Sequence, residues 1–217
     1  MESYKTLCQE ARAEIEEKKS KFIAIIRPIK SVEEMADFVG EIKKKYWDAR
    51  HHCQAYILGK RQEVVRFSDD KEPGGTAGKP MLDVLLGAGL CDVGAIVIRY
   101  FGGVLLGTGG LVRAYSKAVA EAIKEADILE KKVGCLQMIE TDYVGLGKIQ
   151  YIAGKNEAFI VDTEYTDQVK IKILVPKERV TKLLKDVTEA TSGQALIDEG
   201  KDFYYSLIQG SVRLYEN

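Results

Sequence analysis

The hydrophobic pattern along the chain changes period several times, and each change predicts an element. Phe22–Ile29 is a continuous apolar, β-branched run, which predicts a strand. Ser31-Val32-Glu33-Glu34 then sets a serine three residues before a glutamate, the spacing at which each side chain reaches the other's backbone N–H. A helix starts there, with Val32, Met35, Ala36, Val39, Ile42 and Tyr46 on one face. Cys53–Leu58 and Glu63–Phe67 read as strands around the turn Gly59-Lys60-Arg61. After the polar, glycine-rich stretch Ser68–Lys79, Pro80 suits a first helical position, where its missing N–H has no partner to lose. The predicted helix Pro80–Leu86 stops at Gly87 and Gly89. Gly94–Phe101 reads as a buried strand, Gly102–Gly110 as a second glycine-rich loop, and Leu111–Ala126 as a long helix.

Glu130-Lys131-Lys132 reads as a short charged linker, after which the pattern restarts. Strand Cys135–Tyr143, helix Gly145–Ala153, strands Ala158–Thr163 and Gln168–Val175, helix Lys177–Ala190 and strand Gln194–Ile208 give the order β-α-β-β-α-β. That order is the split βαβ of a ferredoxin-like domain. The expected class is therefore α+β in two domains, residues 1–131 and 132–217.

Composition narrows the chemistry. Lys+Arg is 32 against Asp+Glu 33, so any nucleic-acid contact must come from a local patch rather than the global field. None of the 4 cysteines forms a C-x-x-C pair, which argues against structural zinc, and no metal site or cofactor is expected. The charged N-terminal stretch and the lack of an apolar run of roughly 20 residues predict a cytoplasmic protein with no membrane partner.

Two loops carry the candidate chemistry. In the first, Gly74, Gly75, Thr76, Gly78 and Lys79 lead into a helix, an arrangement in which free N–H groups and the helix dipole favour phosphate. It is not a Walker A loop: Pro73 stands where the first glycine belongs, and Pro80 replaces the Ser/Thr that would hold Mg²⁺. Asp69, Asp70 and Glu72 would repel phosphate, bind a divalent cation that bridges to it, or position a ligand, and the bland alternative is a turn that only starts a helix. In the second, Gly102, Gly103, Gly107, Gly109 and Gly110 again precede a helix, with Arg99, Tyr100 and Arg113 beside them in sequence. Val112 breaks a Rossmann fingerprint, so this is an anion-site candidate without a dinucleotide signature. Arg99 and Arg113 suit phosphate, Tyr100 and Phe101 suit base stacking, and Phe101 and Tyr115 equally suit a core. His51 and His52, the only two histidines, fall on opposite faces of a strand and read as structural or ligand-positioning residues beside Cys53.

Taken together these stretches resemble the YigZ/IMPACT family. The matching residues are Lys19-Ser20-Lys21-Phe22-Ile23-Ala24, Asp48-Ala49-Arg50-His51-His52, Ser68–Pro73 with Gly75–Leu82, and Arg99–Gly103 with Leu106-Gly107 and Gly109–Tyr115. Lys71 and Gly74 stand where the family more usually has Gly and Ser. The resemblance implies an N-terminal fold like the second domain of ribosomal protein S-five and a C-terminal ferredoxin-like fold. It implies no established catalysis, and the kinase-restraining role of eukaryotic members, tied to an extra domain, is not expected here. The leading functional expectation is a non-catalytic binding or regulatory protein of translation, with RNA, the ribosome or translation factors as partners. The alternatives are an enzyme acting on a phosphorylated small molecule and a protein-interaction module.

Overall fold

The computed structural model describes residues 1–208 and 210–215. Its N-terminal architecture follows from β3 (Ser20–Pro28), whose side chains are buried on both faces. Phe22, Ala24 and Ile26 enter one core, and Ile23 and Ile25 enter another. A strand with two apolar faces needs cover on both, because exposed apolar area costs about 25 cal/mol per Å². α1 (Val32–Lys45) covers one face with Met35, Phe38 and Ile42. α2 (Gly78–Gly87) and α3 (Gly107–Lys124) cover the other with Met81, Leu85, Tyr115 and Ala118. Between them lies an antiparallel sheet of order β2-β3-β6-β4-β5, formed with β2 (Ala11–Glu17), β4 (His51–Leu58), β5 (Val64–Ser68) and β6 (Val93–Tyr100). β1 (Tyr4–Leu7) precedes them.

Most predicted elements are present, and the differences have physical causes. β2 lies in the charged N-terminal stretch, where Ala11, Ala13 and Ile15 alternate with Arg12, Glu14 and Glu16. The Ser31 hydroxyl caps α1 by accepting from Glu34 N, but Glu34 reaches back to Lys30 N, one residue before the expected partner. α2 and α3 begin earlier than predicted, at Gly78 and Gly107, so glycines assigned to loops occupy first helical turns.

The chain divides into two compact units, Tyr4–Glu130 and Lys131 onward with Met1–Ser3. The boundary falls inside β7 (Ile128–Thr141), so Glu130-Lys131-Lys132 form strand rather than linker. The second unit continues with α4 (Tyr143–Lys155), β8 (Phe159–Tyr165), β9 (Val169–Pro176), a short 3₁₀ turn and α5 (Val180–Ala190). The single strand expected over 194–208 is two, β10 (Leu196–Ile197) and β11 (Lys201–Ile208), followed by β12 (Ser211–Tyr215). The strand order β11-β7-β9-β8 is that of a split βαβ unit. Its core joins Ile139, Ile149, Ile171, Ile173, Leu183 and Val187. No described helix is long and apolar enough to cross a membrane.

One close backbone approach ties the second glycine-rich loop to the sheet. A Cβ on Gly102 would collide with the Lys19 carbonyl and Ser20 N, and the Gly102 N–H donates to Ser20 Oγ at 3.1 Å. Gly102→Ala is therefore expected to destabilise the protein by about 1–3 kcal/mol. That corresponds to a melting point lower by roughly 2–12 °C in thermal unfolding. Gly74→Ala, whose added Cβ meets nothing within 4 Å, should leave the melting point unchanged. Equal melting points for the two variants would show that the approach at Gly102 carries no weight.

Candidate functional site

The first loop turns its acids inward. Asp69 accepts hydrogen bonds from the backbone N–H groups of Gly75 at 2.8 Å, Ala77 at 3.0 Å and Gly78 at 2.8 Å. These are the donors that the sequence offered to an external phosphate, so the protein fills that position with its own carboxylate. The placement is favourable because a negative charge sits at the positive end of α2. Gly78 also packs against the Ser68 backbone, where a Cβ would come within 2.8 Å of the carbonyl oxygen. Thr76 is buried and its hydroxyl donates to the Pro73 carbonyl at 2.6 Å. Lys79 is paired with Asp83 one turn on, and Gly74 is exposed.

Asp70 and Lys71 follow with left-handed backbones, φ +41° and +70°. Lys71 adopts a conformation that only glycine takes without steric cost. The turn delivers Asp70 to both histidines. Its carboxylate accepts from His52 N at 2.6 Å, and its carbonyl accepts from His51 Nδ1 at 2.8 Å. His52 Nε2 donates to the Tyr46 carbonyl at 3.0 Å. A carbonyl only accepts, so His51 carries a proton on Nδ1 and His52 on Nε2. The rings lie on opposite faces of β4, as the alternation requires.

Glu72 enters the core. Its Oε1 accepts from Arg99 Nη1 at 2.6 Å and from the Tyr115 hydroxyl at 2.8 Å, with His51 Nε2 at 3.9 Å. Both charged side chains are almost fully removed from water, 4% and 7% exposed for Glu72 and Arg99. Arg99 was expected at a phosphate. Instead, cross-strand pairing opposite Phe22 and His51 holds it in the core, where its guanidinium lies 5.5 Å from the Phe22 ring and 5.7 Å from Phe101. Arg99 is thus where the two loops meet, touched by Glu72 from one and Phe101 from the other. Its Nε is buried without a hydrogen-bond partner.

Cys53 lies beside this cluster, 3.0 Å from the Asp69 carbonyl and 3.4 Å from the Tyr115 hydroxyl. Burial pushes its thiol up to about 12, with smaller contributions from the charges of Glu72, Asp70 and Asp69. Burial likewise raises the Tyr115 phenol. Both groups stay protonated at neutral pH, so the cluster acts as a fixed hydrogen-bond network rather than a source of a nucleophile.

The second loop points outward. Gly107, Gly109 and Gly110 form the first turn of α3, and the residue before them, Leu106, supplies no side-chain cap. Arg113 is exposed one turn on, with Nη1 3.6 Å from the position of a Cβ on Gly109. Gly103 is exposed and Phe101 is 44% exposed. Tyr100 is half-buried and donates to Asp48 at 2.9 Å, and burial and that carboxylate together raise its pKa. Lys18 and Lys19 are exposed in the β2–β3 turn, and the Lys19 backbone lies against Gly102. Of the residues singled out from the sequence, Arg113 and the start of α3 reach solvent together, whereas Arg99, Glu72, Asp69 and Thr76 form the support beneath. Sequence reasoning missed Ser20 and the role of Tyr115 as the second donor to Glu72. The only sequence signal for either was its place inside a resemblance motif.

Comparison with known proteins gives the family. The Impact N-terminal domain matches residues 18–123, and a domain of unknown function, DUF1949, matches residues 139–194. The chain is 36% identical to the IMPACT family member YvyE of Bacillus subtilis (strain 168), over 94% of each chain. It is 35% identical to the IMPACT family member YigZ of Escherichia coli (strain K12), over 81% of this chain and 87% of that one. A crystal structure described as that of a hypothetical protein, 34% identical, superposes with a TM-score of 0.58 over 91% of this chain and 97% of the other. The chain belongs to the IMPACT family. Membership fits a regulatory or translation-linked role.

Two measurements check the buried network. Glu72→Gln leaves the Arg99 charge without its partner and is expected to cost about 3–5 kcal/mol in denaturant unfolding. A loss below about 1 kcal/mol would show that the pair is not desolvated. Native-state alkylation at pH 8 should modify exposed Cys8 rapidly and leave Cys53 untouched, read by peptide mass spectrometry. A thiol raised on folding contributes its full stabilisation below the ordinary thiol range, and loses it as pH climbs toward 12.

Proposed function

We propose that this IMPACT-family chain is a non-catalytic binding protein of the translation apparatus that engages RNA through the outward-facing second loop. The observation that carries this reading is the uncapped first turn of α3 with exposed Arg113 one turn on, in a loop that packs against the Lys19 backbone at Gly102 and follows exposed Phe101. Free helix N–H groups and a neighbouring guanidinium suit a phosphate, and an exposed aromatic ring suits a base. The first loop takes a supporting role, because Asp69 already holds its donors. The catalytic alternative, with Asp69, Asp70, His51 or His52 as acid/base groups, has less support, since the two carboxylates are engaged with backbone N–H groups and each histidine donates to a backbone carbonyl.

The test is RNA binding by fluorescence anisotropy across a salt series. Arg113→Ala and Lys19→Ala are each expected to weaken binding roughly 3- to 10-fold, the loss of one exposed charged contact. Each should reduce the salt slope by about one counterion, while the melting point stays at the wild-type value. A lower melting point with unchanged binding would make Arg113 structural and remove the reading.

A further inference from the structure

Resting on that reading, the geometry points to a second, aromatic subsite: Trp47 is a base-stacking platform, so the RNA held is single-stranded. Trp47 is the chain's single tryptophan and is 81% exposed. An exposed ring in a loose loop would mean little, since scattered surface apolar residues are common. Here the backbone on both sides is anchored. Tyr46 N donates to the Ile42 carbonyl at 2.9 Å, and the Tyr46 carbonyl accepts from Ala49 N at 3.0 Å and from His52 Nε2 at 3.0 Å. Asp48 accepts from the Tyr100 hydroxyl at 2.9 Å. The segment is therefore fixed to the sheet at Tyr46 and at Asp48, while the indole between them stands in solvent.

The surroundings select the occupant. Lys43, Lys44 and Lys45 end α1 just before Trp47, and Arg50 follows it, all exposed. Asp48 is exposed and accepts from Tyr100, and Lys43 lies 4.0 Å from Asp70, so Lys44, Lys45 and Arg50 are the cations that outnumber the acid beside the ring. A flat ring rimmed by cations matches a base on a phosphodiester backbone, whereas an apolar protein partner would call for apolar neighbours. Tyr100 lies in cross-strand register with Lys21, and Phe101 follows it. Trp47 thus reaches the same end of the sheet as the second loop. A duplex keeps its base faces stacked internally, so a ring that binds by stacking selects an unpaired strand.

The single tryptophan makes the test direct. The full chain is titrated with oligo(A) RNA of about 12 nucleotides, within the range of site sizes typical of single-strand binders. Tryptophan emission and anisotropy of labelled RNA are followed together. Quenching of Trp47 that saturates with binding is expected. Trp47→Ala should weaken binding by about 5-fold or more with an unchanged salt slope, and Trp47→Phe should recover part of the loss. Binding that is lost on Arg113→Ala but leaves Trp47 emission and the Trp47→Ala affinity unchanged would overturn this subsite and leave the RNA reading standing. A duplex of the same length that binds as tightly and quenches equally would overturn the single-strand selectivity. No RNA binding at any salt would overturn both. Emission that changes with protein concentration alone would assign Trp47 to a contact between copies and overturn the subsite.

Discussion

The N-terminal unit depends on one ion pair that water hardly reaches. Glu72 and Arg99 are both desolvated, and removing two charges from water costs several kcal/mol each before their attraction returns any of it. Such a pair adds little net stability compared with an apolar substitute, yet it is strongly position-specific. Tyr115 donates to the same carboxylate oxygen, and Phe22 and Phe101 flank the guanidinium. The pair therefore fixes three things at once: the first glycine-rich loop, the end of the sheet, and α3 through Tyr115. It also explains why a loop with two consecutive left-handed non-glycine residues, Asp70 and Lys71, holds one conformation.

From this follows a separation of charge that the overall balance conceals. The formal net charge is −1, which by itself argues against a polyanion partner. At the loop end of the sheet, however, Asp69 caps a helix, Asp70 holds His52, Glu72 pairs with Arg99 and Asp48 accepts from Tyr100. The cations of the same region, Lys18, Lys19, Lys44, Arg50 and Arg113, remain exposed. With Glu72 buried and Asp69 and Asp70 half-buried against their partners, these exposed cations set a local field without a basic protein. The glycines serve both halves. Gly78 and Gly102 permit backbone approaches that build the support, whereas Gly109 opens the first turn of α3 to solvent.

Much of the fold was legible in the chain. The strand at Ile23–Ile26, the capping serine of α1, the helix carrying Ala114 to Ala122 and the β-α-β-β-α-β order of the second unit all follow from local periodicity. β2 was hidden because its inward positions are mostly alanine, small enough for the flanking charges to dominate the reading. The strand crossing Glu130–Lys132 was hidden for a related reason: charges on the solvent side of a strand look the same as a polar linker.

The sequence by itself determined most of the elements, the family and the two loops, because periodicity, turn chemistry and motif spacing are local properties. Tertiary structure decided which of those residues face a ligand. Nothing local marks Asp69 as the anion for donors six to nine positions on, or Arg99 as a core residue. The first depends on how the loop closes, and the second on a register that sets Arg99 between Phe22 and His51. A charged side chain becomes support or surface according to whether packing places an opposite charge beside it, and that is settled by residues far away in sequence.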